Sequence, residues 1–206
     1  MFVAVRCRVC RRVFRCDGAS PAPRACSECS VLARATPSPR SQAAVVYDGP
    51  VREVIAGFKY RSRRRVARAL AARLVSDIVA DPTSPRFDVV TWAPTSSHRA
   101  GVRGYDQSEL LARRVARELG VPCRRLLERS RGPAQTGRGR AERLHGPVFR
   151  SRPMSRPLTV LVIDDVVTTG ATFGAAAHAL RLAGASDVHA RAVASTPDRR
   201  RAAPDV

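Results

Sequence analysis

The sequence predicts an α/β protein built on a mainly parallel sheet. Three observations carry this expectation. Stretches with strand patterning alternate with stretches of helical period between residues 43 and 195. One stretch, 158–164 ("LTVLVID"), is apolar almost throughout, as in a buried strand. The loops richest in glycine, hydroxyl and charged residues each follow a strand, which is where parallel sheets bind ligands.

In chain order, the first 29 residues hold five of the six cysteines. Four form two pairs, Cys7–Cys10 in "CRVC" and Cys26–Cys29 in "CSEC", with 15 residues between the pairs. Two residues between thiolates let one tight turn present both sulfurs to one tetrahedral ion, so the spacing fits a structural four-thiolate zinc site. The intervening segment is rich in Arg, Gly and Pro and poor in core formers, so metal would supply its folding energy. Disulfide or redox pairing is the rival reading. Cys16 is left over, either a free thiol or an alternative ligand, and Cys123 reads as a small core residue. Residues 1–33 form the expected zinc module, and the polar, Pro-containing stretch 34–42 the linker.

The main domain is expected over 43–195. Residues 43–49 read as a strand. Residues 50–60 read as a helix with Pro50 at its start and Val51, Val54, Ile55 and Phe58 at helical spacing. Residues 64–80 form an amphipathic helix with Val66, Leu70, Leu74 and Ile78 on one face. A strand over 87–94 leads into the loop 95–105. The helix over 106–120 has Ser108 as its expected cap and Gly120 as its stop. Residues 123–129 are a weak strand, and 130–149 carry little apolar content. The strand 158–164, a helix over 172–185 and a strand over 187–195 complete the domain, and 196–206 form a polar tail.

No window approaches the roughly 18 apolar residues of a membrane span, and the N-terminus lacks a secretory apolar segment. A cytoplasmic protein without membrane partners is the expectation. The formal net charge is +20, from 37 Lys and Arg against 17 Asp and Glu. Two readings stand: a composition bias filling solvated faces, or binding of a polyanion such as nucleic acid or a phosphorylated small molecule. Lys59 is the single lysine. It is either a site needing a compact ammonium rather than a guanidinium fork, or a chance surface residue.

Against this basic background, Asp164 and Asp165 stand side by side, followed by Val166, Val167, Thr168, Thr169, Gly170, Ala171 and Thr172. Gly170 lets backbone approach a ligand. The start of the next helix and the threonine hydroxyls favour an anion. The carboxylates suit hydroxyls or a metal ion. Together they fit a sugar phosphate. A capping Asp with a chance neighbour is the plainer alternative.

"VLVIDDVVTTGAT" resembles the phosphoribosyl-diphosphate (PRPP) motif of type I phosphoribosyltransferases. With the two CxxC pairs, "YDGPVREVIAGFKY", "APTSSHRAGVRGYDQSELLA" and a later "QT…R…F", almost the whole chain resembles the competence-associated ComF family. The resemblance implies a type I phosphoribosyltransferase fold, a mainly parallel sheet flanked by helices, with a small N-terminal zinc-binding module. It implies that Asp164 and Asp165 hold the ribose hydroxyls, directly or through magnesium, and that Val166 to Thr172 hold the 5′-phosphate. Arg99 and Arg103 would face the pyrophosphate, with Lys59 as a further cation. His98 is either a ligand contact or an exposed loop residue, and Gln107 a supporting residue. Gln135 and Arg143 match a flexible hood over the reaction. Two departures stand out: Gly146 replaces an asparagine frequent in the family's hood, and Thr168 replaces the loop carboxylate of purine-salvage relatives. Threonine is a poor base near neutral pH.

The implied reaction is magnesium-dependent transfer of phosphoribosyl from PRPP to an unnamed nucleobase or nucleotide acceptor, releasing pyrophosphate. The second class is a PRPP or nucleotide sensor, or an accessory that meets single-stranded DNA or DNA-processing proteins.

Overall fold

The computed structural model describes residues 2–17, 24–36, 38, 42–60, 64–96, 101, 104–130 and 147–197. The chain opens with an antiparallel hairpin, β1 (Phe2–Arg6) and β2 (Val13–Asp17), then α1 (Ser27–Arg34). None of these three elements was expected from the sequence. The strands are 5 residues each and the helix 8, too short to show a period.

The order then runs β3 (Ala43–Val46), α2 (Gly49–Tyr60), a 3-10 turn (Arg64–Val66), α3 (Ala67–Ala80), β4 (Val89–Trp92) and α4 (Gln107–Leu119). It continues through β5 (Leu127–Arg129), β6 (Phe149–Ser151), β7 (Thr159–Val167), α5 (Ala171–Leu182) and β8 (Asp187–Ser195). The main sheet has the order β3-β8-β7-β4, and every pairing in it is parallel. Residues 123–129 divide: Cys123 makes one parallel bridge to Val90, while β5 pairs antiparallel with β6 in a small separate sheet.

The helices cover both faces. Val66, Leu70, Leu74 and Ile78 are all buried, as their spacing predicts. They share one apolar cluster with Phe58, Leu111, Leu161 and Ile163. Val160, Val162, Phe173 and Leu180 form the cluster on the other face, beneath α5. Full burial of each such side chain contributes roughly 1.5–3 kcal/mol. Leu32 of α1 lies in the first cluster beside the four paired cysteines, and the Arg73 guanidinium of α3 donates to the carbonyls of Leu32 (3.3 Å) and Ala44 (3.2 Å). The segment expected as a linker also touches the sheet: Val46 N–H donates to the Thr36 carbonyl at 2.9 Å, and the Ser38 and Ser195 hydroxyls lie 2.7 Å apart.

Two local expectations are corrected. The cap of α4 is Asp106, whose carboxylate accepts from the N–H groups of Ser108 (3.0 Å) and Glu109 (3.3 Å). Ser108 therefore lies in the first turn, and its hydroxyl reaches elsewhere. Gly120 ends the helix with φ 71°, the left-handed conformation expected of a glycine stop. Second, β7 does not stop at the acid pair but runs on to Val167. The strict alternation of faces does end there, since Val166 packs on the first cluster and Val167 on the second.

Candidate functional site

The carboxyl ends of β4 and β7 open into a cavity of about 340 Å³, lined among others by Lys59, Thr95, Ser108, Arg129, Asp164 and Asp165. A smaller recess of about 20 Å³ adjoins it, lined by Asp164, Thr168, Gly170, Thr172 and Phe173. The recess lies at the start of α5, where N–H groups lack intrahelical partners and anions are favoured. Gly170 caps that helix with φ 85°. A side chain there would be strained, which accounts for glycine at this position.

The acid pair is held from two sides. Lys59, in the last turn of α2, places Nζ 2.8 Å from Asp165 Oδ1, with only 18% and 10% of the two side chains exposed. The C-terminal end of a helix favours a cation. The Tyr105 hydroxyl donates to the carbonyl of Phe58, the residue before Lys59, and the two rings stand 6.0 Å apart. Asp164 Oδ1 accepts from the Ser108 hydroxyl at 2.7 Å and from the Asp165 N–H at 2.8 Å. Asp106 binds the Thr95 N–H at 2.9 Å, which joins the loop after β4 to the start of α4.

Asp164 lies at the cavity floor, partly open to it. Burial first, and the like charge of Asp165 second, push its carboxyl up to about 7 against the pull of Ser108, the Asp165 N–H and Lys59. Burial also raises the Asp106 carboxyl, against its three backbone N–H bonds. Asp164 and Asp165 form a hard, oxygen-rich donor set beside the cavity, which suits magnesium.

Asp164, Asp165, Lys59, Val166 and Thr172 line one cavity, and Thr168 and Gly170 line the adjoining recess. Val167 also lines the recess, and Ala171 begins α5, its N–H bonded to the Thr169 hydroxyl at 3.3 Å. Gln107 is buried at the cavity edge. His98, Arg99, Arg103, Gln135, Arg143 and Gly146 lie outside the described residues. Two lining residues escaped the sequence reading: Ser108, read as a cap, and Arg129, one of many arginines in a weak strand. Arg129 ends β5, and residues 131–146 join that strand to β6.

The four paired cysteines form a second site. The sulfurs of Cys7, Cys10, Cys26 and Cys29 all lie within 4.8 Å of one another, and all four residues are buried. The Cys10 and Cys26 sulfurs are 3.8 Å apart. A tetrahedron with Zn–S bonds of about 2.3 Å has edges of about 3.8 Å. None of the four is paired in a disulfide. Burial raises the Cys7 thiol, but the N–H groups of Cys10, Cys26 and Val9 outweigh it and bring it down to about 6. Burial pushes Cys26 up to about 11, and burial plus the charge of Cys10 and Cys26 raises Cys29 further. The Cys7 thiolate forms readily, whereas Cys26 and Cys29 need a cation beside them to ionise. Cys26 and Cys29 sit at the start of α1, where the dipole favours thiolate. Cys16 stands apart on β2, its sulfur 3.8 Å from the Val3 carbonyl.

Residues 106–205 match the phosphoribosyl transferase domain family. The chain is 30% identical over 171 residues to the DNA utilization protein YhgH of Salmonella typhi, covering 79% of this chain and 74% of that one. It is 27% identical over 165 residues to the competence protein ComFC of Streptococcus pneumoniae, covering 79% and 71%. A glutamine PRPP amidotransferase from B. subtilis, solved with ADP and GMP, superposes with a TM-score of 0.42 at 25% identity, over 66% of this chain and 30% of that one. A parallel sheet with its acid pair and threonine loop, the four-cysteine head, the phosphoribosyl transferase match and the YhgH relative together place the chain: it belongs to the ComF family, with a type I phosphoribosyltransferase domain.

Proposed function

We propose that the cleft binds PRPP with magnesium and transfers its phosphoribosyl group to a nucleobase or nucleotide acceptor. The observation that carries this reading is the acid pair held by Lys59 and Ser108 directly before the recess at the start of α5. Asp164 and Asp165 accept bonds from the ribose hydroxyls. The Thr168–Thr172 loop holds the 5′-phosphate with N–H groups and hydroxyls. When ribose engages Asp165, Lys59 is released toward the diphosphate, joined by Arg99 and Arg103. The acceptor's lone pair forms the new bond to the anomeric carbon as the bond to the diphosphate oxygen breaks. Pyrophosphate departs with that electron pair and takes up the proton that the acceptor sheds. Asp164 and Asp165 would hold magnesium when it is bound, and it would supply positive charge against that of the diphosphate. Gln135 and Arg143 belong to a hood that excludes water, which would otherwise hydrolyse PRPP.

The cysteine tetrad holds one structural zinc, since four thiolates leave no open position for chemistry. The relatives' names, DNA utilization protein and competence protein, support a role in DNA use or uptake, and a cytoplasmic location belongs to the same reading. Among the described residues no helix is long and apolar enough to cross a membrane.

One observation favours a second reading, a PRPP sensor. Thr168 offers no carboxylate to take the acceptor's proton. Pyrophosphate release, followed with PRPP, magnesium and a panel of bases and nucleotides, separates the two. Transfer expects release that depends on one acceptor class. Saturable PRPP binding without release across the panel favours the sensor, and no PRPP binding rejects both.

A further inference from the structure

A cavity of about 710 Å³ lies at the opposite end of the sheet from the cleft. Its lining includes Asp88 and Val89 at the start of β4 and Leu158 just before β7. Six residues of strand separate Leu158 from Asp164, which is about 20 Å. Arg124, Arg125, Arg150, Arg152 and Arg156 stand around this groove, all exposed. Of these, Arg156 pairs with Asp88 at 3.3 Å, and the other four have no acidic partner among the described residues. None of the five lines the cleft.

The floor is of a different character. Val89 is buried, and Leu126, Met154 and Leu158 are half-buried, giving an apolar surface between arginine rims. The exposed Glu128 also lines the groove and offers an acceptor. A guanidinium fork matches phosphate oxygens two at a time. An apolar floor beneath a cationic rim therefore suits a ligand with one flat, weakly polar part and one multiply anionic part.

We propose that this groove is a second ligand site, distinct from the cleft, for a free nucleoside phosphate. Its phosphates meet the arginines of both rims, its base lies on the floor between Leu126, Met154 and Leu158, and Glu128 accepts from the ribose hydroxyls or the base amino group. Two of these contacts, Glu128 and Arg150, belong to the β5–β6 hairpin, whose Arg129 lines the cleft. A nucleotide bound in the groove thus touches the element that carries the rim of the cleft. The groove is bounded, and its cations are confined to one end of the sheet, which fits a single nucleotide better than the continuous track a strand of nucleic acid needs.

Fluorescently labelled ATP, followed by anisotropy at fixed salt, tests the proposal. An Arg150→Glu, Arg152→Glu variant is expected to bind ATP at least tenfold more weakly, with its thermal melt within a few degrees of wild type. An Asp164→Asn, Asp165→Asn variant is expected to bind ATP as wild type does. Unlabelled inorganic triphosphate is expected to compete at least tenfold less well than ATP, because it leaves the floor uncovered. Equal ATP affinity in the groove variant overturns the proposal, as does loss of ATP binding in the acid-pair variant. Equal competition by triphosphate removes the nucleoside. Affinity for oligothymidylate that exceeds that for ATP and climbs with length assigns the groove to a nucleic acid strand instead. Because ATP rather than PRPP is the probe, these outcomes stand apart from success or failure of the cleft assignment.

Discussion

Lys59 Nζ stands 2.8 Å from Asp165 Oδ1. The single lysine of a chain with 37 Lys and Arg thus sits on one of its two adjacent carboxylates. A guanidinium in its place would bring a planar fork into a space that holds a compact ammonium. The pair is mostly buried, so each charge depends on the other.

Replacing Lys59 with Met is therefore expected to destabilise the fold by about 2 kcal/mol, because Asp165 is left uncompensated. Adding Asp165→Asn to that variant should recover most of the loss. Denaturant unfolding of the two single variants and the double variant gives the coupling between them. Additive losses would mean the two residues do not interact in solution.

The Asp164 carboxyl rises from its ordinary 3.8 to about 7 in the folded chain. Between those values the folded chain holds a proton that the unfolded chain has released. Stability therefore falls as pH rises through the window from about 4 to about 7, and stays lowered above it. Asp164→Asn removes this dependence. At pH 8 the variant should melt above wild type, and at pH 4 the difference should vanish. Melting curves at the two pH values decide it, and a variant less stable than wild type at pH 8 contradicts the assignment.

Purified protein should carry about one zinc per chain. Chelation should lower the melting temperature by 10 °C or more, because Leu32 and the buried cysteines share the cluster that α3 builds on. Cys29→Ser should do the same, whereas Cys16→Ser should change neither metal content nor stability. Elemental analysis and calorimetric melts check both, and a metal-free protein with paired disulfides would reverse this reading.

Asp106→Ala should cost about 1–2 kcal/mol through loss of the α4 cap. It should also free the Thr95 N–H that Asp106 holds at the cleft. Faster amide exchange at both Thr95 and Ser108 is the expected signature, and a change confined to α4 would show that the loop is held by other contacts.

Long, strongly patterned elements were legible in the sequence. The face of α3 and the span of β8, residues 187–195, stand as predicted, because their side chains repeat with the period of the structure that buries them. The cysteine tetrad was legible too, since ligand spacing is a local property. Elements whose formation depends on distant partners were not. The hairpin of β1 and β2 and the helix α1 are too short to show a period, and α1 gains its place from the cluster around Leu32. The reach of β7 beyond the acid pair comes from pairing with β8 as far as Val167 and Ser195. Ser108 looked like a cap because hydroxyls commonly serve there. Its bond to Asp164, 56 positions away, appears only once the sheet is assembled.

Isothermal calorimetry with PRPP and magnesium, on wild type and on an Asp164→Asn, Asp165→Asn variant, tests the cleft most directly. Wild type should bind saturably, and the variant should bind at least 100-fold more weakly while its circular dichroism stays that of the folded protein. Equal PRPP affinity in the two proteins would show that the acid pair does not hold the ribose.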